Sequence, residues 1–295
     1  MFLEEGAVLS NVNIAENKYL MKVVSEKSCA FAKPGQFYML RLRDAYFTLR
    51  RPVSIHYANP RTNVLEFYYE VKGSGTKDLS EFRPTEGIGI QGPLGKGFDT
   101  NQRGKELLLV GGGMGLAPMK FLAETLREHN RITLVAGGKD AGSLKILENF
   151  DLEEMDLFIT TDDGSLGYKG TVIPKVSQLL TEKKFDGIYV CGPGVMMNLV
   201  GKLAVMEGIS CEVSLESRMA CGVKACVGCS FLSNEGMKKV CADGPVFNAE
   251  IIREINNIEH GDCATCQINA SCGSGTQDGA RQGDCHGCDL IPEVK

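Results

Sequence analysis

The chain has 295 residues, 12 of them cysteines, and its 32 basic and 37 acidic side chains give a formal charge of −5 at neutral pH. This length suffices for two domains of ordinary size and a small third module. The mildly acidic balance argues against nucleic acid and against an anionic membrane surface as partners. No apolar stretch reaches the length of a bilayer span, and acidic Glu4 and Glu5 stand where a secretory signal would be basic. We therefore expect a cytoplasmic protein whose clustered cysteines bind metal.

Residues 1–100 contain short apolar segments separated by glycine and proline, which predict strands at 7–12, 18–24, 36–42, 53–57, 64–69 and 89–91. Several short strands joined by turns, without alternating helices, are typical of an antiparallel barrel or a sandwich. We expect a β-barrel over this part of the chain.

Two motifs in this barrel suit a flavin dinucleotide. Arg51 and Ser54 stand at the start of a predicted strand, where the arginine would balance pyrophosphate charge and the serine would hydrogen-bond the flavin ring. About twenty residues later a glycine–threonine loop precedes a predicted helix and offers backbone N–H groups to a phosphate. Each motif alone is also compatible with an edge strand or a plain turn. The candidate flavin-binding residues are Arg51, Pro52, Val53, Ser54, Tyr68, Tyr69, Glu70, Gly75 and Thr76.

Strands and helices alternate between residues 101 and 211. Strands are predicted at 106–110, 132–136, 157–160 and 187–190, and helices at 117–128, 142–150, 171–180 and 195–206. This alternation predicts an open parallel sheet flanked by helices, with ligands at the carboxyl ends of its strands.

A glycine-rich turn at 111–118 suits a dinucleotide pyrophosphate, because glycines allow close approach to a helix N-terminus. The third small residue of the usual fingerprint is missing, and no acidic residue ends the second strand, so NAD versus NADP stays open. A tight strand–helix turn without a ligand is the alternative. Cys191 ends the last strand and either touches the nicotinamide or fills space. The candidate NAD-binding residues are Gly111, Gly112, Gly113, Gly115, Cys191, Gly192 and Pro193.

Four cysteines further along have the spacing C-x4-C-x2-C-x11-C, which is the plant-type arrangement for a [2Fe–2S] cluster. They are Cys221, Cys226, Cys229 and Cys241. Neighbouring glycines permit the dihedral angles that turn backbone N–H groups toward the sulfur atoms. A four-cysteine zinc site would pair its ligands as two short C-x2-C hooks, of which this segment has one, and a pair of disulfides is a further alternative. The spacing favours the cluster, and hence one-electron transfer.

The tail after residue 259 carries five further cysteines and a loop rich in glycine, serine and glutamine. Its two C-x2-C hooks are compatible with zinc, with a second iron–sulfur cluster, or with a thiol-rich tail that binds no metal. These cysteines are Cys263, Cys266, Cys272, Cys285 and Cys288.

Taken in this order, the motifs resemble those of the ferredoxin–NADP reductase superfamily, and within it the family of electron-transfer subunits of dihydroorotate dehydrogenase B. The resemblance covers about residues 2–250. Lys224 departs from it by placing a positive charge in the cluster loop, and the cysteine-rich tail lies outside the family pattern. The matching segments are 51–54, 75–76, 92–95, 111–118, 191–193, 214–222 and 241–247, together with Cys226 and Cys229.

The resemblance implies an FAD-binding barrel at 1–100, an NAD-binding α/β domain at 101–211, a [2Fe–2S] module at 212–258 and an additional tail at 259–295. It implies a partner subunit containing FMN, in which dihydroorotate is oxidised during pyrimidine biosynthesis, within a heterotetramer. Electrons would pass reversibly between that partner and NAD(H), and this chain would hold no catalytic residues for dihydroorotate. The alternatives are a reductase subunit serving another partner (of the sulfide dehydrogenase or bifurcating ferredoxin reductase type), a redox-sensing regulator, and an assembly subunit without cofactors.

Overall fold

Six antiparallel strands close into a barrel at the N-terminal end of the computed structural model, which describes residues 1–256. The barrel order is β1-β2-β5-β4-β3-β6. Helix α1 (Ser74–Ser80) connects the fifth strand to the sixth. The strands are β1 (Phe2–Ala15), β2 (Lys18–Val24), β3 (Phe37–Leu40), β4 (Arg51–Asn59), β5 (Val64–Glu70) and β6 (Gly87–Leu94).

Strand β1 is much longer than the six residues predicted for it. Its first half pairs with β6, from Phe2 opposite Gly92 to Ala7 opposite Gly87. Its second half pairs with β2 and contains two register irregularities. A strand that closes a barrel must bend from one neighbour to the other, and such irregularities allow the bend. Sequence alternation alone does not reveal this double pairing.

A seven-stranded sheet follows the barrel, in the order β10-β9-β8-β7-β11-β12-β15. All its pairs are parallel except that between β12 and β15. The predicted fold class, an antiparallel barrel followed by a parallel α/β sheet, is confirmed. The strands are β7 (Glu106–Gly112), β8 (Arg131–Gly138), β9 (Met155–Thr161), β10 (Tyr168–Lys169), β11 (Gly187–Cys191), β12 (Ser210–Ser214) and β15 (Val246–Asn248).

The helices of this sheet differ from prediction in two places. A 3-10 helix at Gly113–Leu116 precedes α2 (Met119–Leu126), which begins after Pro118 because proline has no N–H to give to the preceding turn. The segment predicted as an α-helix at 142–150 is a 3-10 helix, Gly142–Asn149. Its buried Leu144 and Leu147 are three residues apart, as one 3-10 turn requires. The predicted helices α3 (Val172–Glu182) and α4 (Gly194–Met206) are present.

The segment after residue 214 returns to the large sheet instead of folding apart from it. It forms a hairpin of β13 (Ser230–Ser233) and β14 (Gly236–Lys239), then α5 (Val240–Asp243), and then β15, the edge strand beside β12. Short helices at Ala249–Ile251 and α6 (Arg253–Asn256) complete the described chain. The predicted domain boundary at 211 falls inside β12, and the domain limits stay a prediction.

Helix α2 packs across the barrel strand β4 and joins the two sheets. Lys120 of α2 forms an ion pair with Glu66 of β5 at 3.0 Å, and each of these side chains is 9% exposed. The fully buried His56 bonds through Nδ1 to the carbonyl of Ala117 at 2.7 Å. Among residues 1–256, no helix is both long and apolar enough to cross a lipid bilayer.

Candidate functional site

A cavity of about 230 Å³ opens between the barrel, the glycine-rich turn and the segment after β12. This volume is below the range of about 300–1,000 Å³ that encloses a drug-sized ligand, so it suits the ring system of a flavin but not the whole dinucleotide. Seven of the nine candidate flavin-binding residues line it, namely Pro52, Val53, Ser54, Tyr68, Tyr69, Glu70 and Thr76. The other lining residues are Phe37, Lys72, Met114, Ala117, Ser214, Leu215, Glu216, Ser217, Met219 and Pro245.

Arg51 and Gly75, the two remaining candidates, lie against each other at the start of α1. A Cβ atom on Gly75 would collide with the guanidinium of Arg51. That guanidinium donates to the Leu49 carbonyl at 2.8 Å and lies 5.5 Å from the ring centre of Phe47. A guanidinium can donate two parallel hydrogen bonds to a phosphate, and Gly75 has no side chain to block the start of the helix. This arrangement fits a pyrophosphate.

The start of α1 leaves backbone donors for such a phosphate. The Thr76 hydroxyl accepts from the N–H groups of Lys72, at 2.9 Å, and Gly73, at 3.2 Å. The Thr76 side chain is therefore committed to closing the loop. The first N–H groups of a helix have no partner within it, so the contribution of Gly75 and Thr76 to a ligand would come from the backbone.

A second cavity of about 710 Å³ lies at the carboxyl ends of the parallel strands. Gly112, Gly113, Gly115, Gly192 and Pro193 line it. Because ligands of open parallel sheets bind at this edge, its position fits a dinucleotide. The remaining lining residues are Ala15, Glu16, Asn17, Lys18, Glu70, Lys72, Met114, Lys139, Asp140, Gly142, Ser143, Lys145 and Glu216.

The glycines of the turn serve different purposes. A Cβ on Gly115 would collide with the backbone carbonyl of Cys191, so this glycine lets the turn approach the end of β11. Gly113 has a φ of +55°, and a Cβ there would meet no atom within 4 Å, which leaves its backbone open to a ligand in the cavity. Gly111 packs on Leu116 and Met119 and does not line the cavity.

Cys191 lines neither cavity, although the next two residues, Gly192 and Pro193, line the large one. Its side chain is 3% exposed and belongs to the apolar core between the sheet and α2. Burial raises the pKa of its thiol to about 12, and the charge of Glu216 acts in the same direction. Of the two roles open to Cys191, contact with the nicotinamide or filling of space, its position favours the second.

The four cluster cysteines lie in and beside the loop that follows the flavin cavity. Cys229 and Cys241 are buried, whereas Cys221 and Cys226 are half-buried. The Cys221 sulfur accepts the backbone N–H groups of Val223 and Cys226, each at 3.4 Å. These hydrogen bonds, that from Cys226 foremost, lower the pKa of the Cys221 thiol to about 7. A thiolate is the form that binds iron, so the loop favours the ligating state of this residue.

Burial acts oppositely on Cys241 and raises its thiol pKa to about 11, with the neighbouring Cys229 and Cys221 adding to the shift. Thiolates that raise one another's pKa are stabilised together when iron neutralises them. Between residues 1 and 256, no three His, Cys, Asp or Glu side chains converge on one metal ion. The four thiols instead lie in pairs, with Cys226 beside Cys221 and Cys229 beside Cys241. A [2Fe–2S] cluster takes two thiolates on each iron, so this pairing fits the cluster.

Gly222 brings the cluster loop against the barrel. Its φ is +67°, and a Cβ there would lie 2.7 Å from Cγ of Met39 in β3. Lys224, the basic residue of the cluster loop, also has a positive φ, +70°, and its side chain is exposed, so its charge reaches solvent. Its carbonyl accepts from Lys239 Nζ at 2.9 Å.

The segment 214–219, for which the sequence patterns predict no particular role, lines the flavin cavity through five of its residues. Two residues after Met219 comes Cys221, so one stretch of backbone joins the flavin cavity to the cluster loop. The tail cysteines Cys263, Cys266, Cys272, Cys285 and Cys288 lie outside the described residues.

Comparison with known proteins gives a consistent result. A family model described as the iron–sulfur cluster binding domain of dihydroorotate dehydrogenase B matches residues 216–253. The electron transfer subunit of dihydroorotate dehydrogenase B (NAD(+)) from Desulforamulus reducens is 36% identical over 249 residues, covering 82% of this chain and 95% of the relative. The subunit of the same description from Clostridium acetobutylicum is 35% identical over 240 residues, covering 81% and 93%.

Solved structures add two neighbours. One, from a study of flavin-based electron bifurcation, is an NADH-dependent reduced ferredoxin–NADP oxidoreductase with 32% identity and a TM-score of 0.77, covering 84% of this chain and 89% of its own. The other is the ferredoxin reductase of a carbazole 1,9a-dioxygenase, with 22% identity and a TM-score of 0.61 over 70% and 66%. The second likeness concerns the fold alone.

Proposed function

The chain belongs to the family of electron transfer subunits of dihydroorotate dehydrogenase B, and from that premise we propose that it exchanges electrons between NAD(H) and a partner flavoprotein that oxidises dihydroorotate. The observation that carries the proposal is the continuous segment 214–221. It lines the flavin cavity and supplies the first cluster cysteine. A single-electron centre and a flavin held by one stretch of backbone suit electron transfer over a short distance.

The cofactors are FAD and a [2Fe–2S] cluster, and we assign them to the residues that fit each group. Arg51, Ser54 and Thr76 bind the flavin dinucleotide, together with the backbone of α1 and the residues at the end of β5. Cys221, Cys226, Cys229 and Cys241 hold the cluster. Gly112, Gly113, Gly115, Gly192 and Pro193 hold the nicotinamide dinucleotide. The bound groups supply the conversion between hydride chemistry, which moves two electrons, and single-electron transfer.

The protein's own contribution is positioning and electrostatics. Buried Tyr68 and Val53 form an apolar wall that excludes water from the flavin ring. Arg51 offers charge to the pyrophosphate outside the small cavity. Lys72 is paired with Glu70, and the three other lysines of the large cavity attract an anionic dinucleotide. These are Lys18, Lys139 and Lys145.

The oxidation of dihydroorotate belongs to the partner, an FMN-containing subunit with which we propose a heterotetramer. The proposed location is the cytoplasm, where reducing conditions keep cluster thiolates out of disulfides. The proposed domain limits are the ones predicted from the sequence. They are 1–100, 101–211 and 212–258, followed by the tail at 259–295.

The test is to purify the chain alone, anaerobically, with its cofactors. We expect it to reduce an artificial acceptor with NADH and to leave dihydroorotate untouched. Addition of the FMN subunit is expected to couple dihydroorotate oxidation to NAD⁺ reduction. Turnover of dihydroorotate by the isolated chain would contradict this division of labour.

A second candidate is a reductase subunit serving another flavoprotein, and it is favoured by the likeness to the NADH-dependent reduced ferredoxin–NADP oxidoreductase. The two candidates share the barrel and the dinucleotide lobe. They differ in the partner. Affinity purification of the chain from its own cells distinguishes them, because the first predicts an FMN protein that oxidises dihydroorotate and the second a different flavoprotein.

A further inference from the structure

The flavin cavity and the dinucleotide cavity meet at four shared residues. These are Glu70, Lys72, Met114 and Glu216. A dinucleotide lying in the large cavity must bring its nicotinamide ring to this junction if the ring is to exchange hydride with a flavin in the small cavity. Charges at the junction therefore act on the nicotinamide, whereas charges elsewhere in the large cavity act on the rest of the dinucleotide.

The charges of the junction are unequally compensated. Glu70 forms an ion pair with Lys72 at 3.0 Å, so these two side chains neutralise each other. Within the described part of the chain, the carboxylate of Glu216 makes no ion pair and no hydrogen bond, and its side chain is exposed to the cavities. The charge of Glu216 also acts on the end of β11. Burial is the main cause of the raised pKa of Cys191, and the negative charge of Glu216 is the second cause.

The two redox forms of the dinucleotide differ at the ring that reaches this junction. The oxidised nicotinamide carries a positive charge and the reduced ring is neutral, whereas the pyrophosphate and the adenosine are the same in both. An unpaired carboxylate beside the ring attracts the oxidised form and has no comparable effect on the reduced form. At the opposite end of the cavity, the same charge would act on both forms equally.

We propose that Glu216 is a specificity-determining residue that makes the large cavity prefer NAD⁺ over NADH. The inference rests on the proposed function, because it takes the large cavity as the dinucleotide site. Its consequence is directional, since tighter binding of NAD⁺ draws the hydride exchange toward the oxidised dinucleotide.

The test compares two ligands that do not react with the oxidised protein. Full-length chain loaded with FAD and cluster is titrated calorimetrically with NAD⁺ and with tetrahydro-NAD, a reduced analogue whose nicotinamide ring is uncharged and cannot donate hydride. In Glu216→Gln, we expect NAD⁺ affinity to fall by about three- to tenfold, and tetrahydro-NAD affinity to change by less than about twofold. Glu216→Lys is expected to weaken NAD⁺ binding further, because attraction becomes repulsion.

The matched control is Asp140→Asn, which removes a negative charge from the same cavity at a residue that does not line the flavin cavity. Asp140 follows β8, which lies on the other side of β7 from β11 and β12. Its Oδ1 accepts from the Ser143 N–H at 2.7 Å, and an asparagine oxygen can accept the same bond. The substitution is expected to change both affinities by the same factor. Flavin content and melting temperature confirm that each variant is folded.

The outcomes separate this inference from the proposed function. If the wild-type chain binds both ligands and Glu216→Gln leaves the ratio of the two affinities unchanged, the inference is wrong and the proposed function stands. If the wild-type chain binds neither ligand, the large cavity is not the dinucleotide site, and the proposed function fails together with the inference.

Discussion

The ion pair between Lys120 and Glu66 gives an ordered stability prediction for the contact between α2 and the barrel. The two atoms are 3.0 Å apart, and each side chain is 9% exposed. Glu66 also pairs with Lys22 at 2.9 Å, but Lys22 is 40% exposed. Burial opposes ionisation of Glu66, yet the two lysines outweigh it and lower its pKa. Glu66 is thus the partner that both lysines share. Substitution of the three residues should therefore lower the free energy of unfolding by different amounts.

Glu66→Gln leaves the buried Lys120 ammonium without a carboxylate, which we expect to cost about 3–5 kcal/mol of unfolding free energy. Lys120→Met leaves Glu66 paired with Lys22 and fills the space of the lost side chain, so we expect a loss of about 1–2 kcal/mol. Lys22→Met removes the exposed partner and should cost less than about 1 kcal/mol. Combining Glu66→Gln with Lys120→Met removes both buried charges and should cost less than Glu66→Gln alone.

The assay is urea unfolding of the cofactor-loaded chain, followed by far-ultraviolet circular dichroism. The order of the four midpoints is the result that matters, because it does not depend on the absolute energies. If Lys120→Met destabilised as much as Glu66→Gln, or if the double variant were the least stable, the reasoning about an uncompensated buried charge would be refuted.

Three further predictions concern the cofactor sites and the response to acid. Cys226→Ala should lower the iron content of anaerobically purified protein by about two atoms per chain while FAD is retained, whereas Cys29→Ala, outside the cluster loop, should leave the iron unchanged. Arg51→Ala should weaken FAD binding by about tenfold or more, measured by the fluorescence of released flavin, because a charge-assisted contact to phosphate is lost. Burial lowers the pKa of His56 to about 4, so the unfolded chain binds a proton at this residue between about pH 6.5 and pH 4 when the folded chain does not. The free energy of unfolding should therefore fall as the pH drops through that range. In His56→Phe, the urea midpoint should depend less on pH over the same range.

The sequence is informative where local pattern and local structure coincide. The strands at 18–24 and 64–69 have nearly the predicted limits, because apolar residues flanked by turns identify them without tertiary information. The four proposed cluster cysteines follow from local sequence in the same way, since the spacing between ligands can be read directly from the chain. The match of residues 216–253 to an iron–sulfur domain agrees with that interpretation.

Long-range geometry could not be predicted in the same way. The edge strand Val246–Asn248 is short, and its place beside β12 depends on how the cluster segment folds back. Glu216 lies where the two cavities meet, and no local sequence pattern predicts that position. Gly115 is expected from the sequence to face a ligand, but its lack of a Cβ also reflects the nearby carbonyl of Cys191.

The central claim is that the flavin and the cluster are bound by one chain and reduced by NADH. The most direct measurement is to add NADH anaerobically to the isolated, cofactor-loaded chain and record electron paramagnetic resonance together with the iron and flavin content. We predict one FAD per chain and about two iron atoms bound by the four cysteines between 221 and 241. After addition of NADH, we predict the paramagnetic signal of a reduced cluster. Loss of flavin absorbance without any such signal, or a chain that binds neither group, would contradict the account.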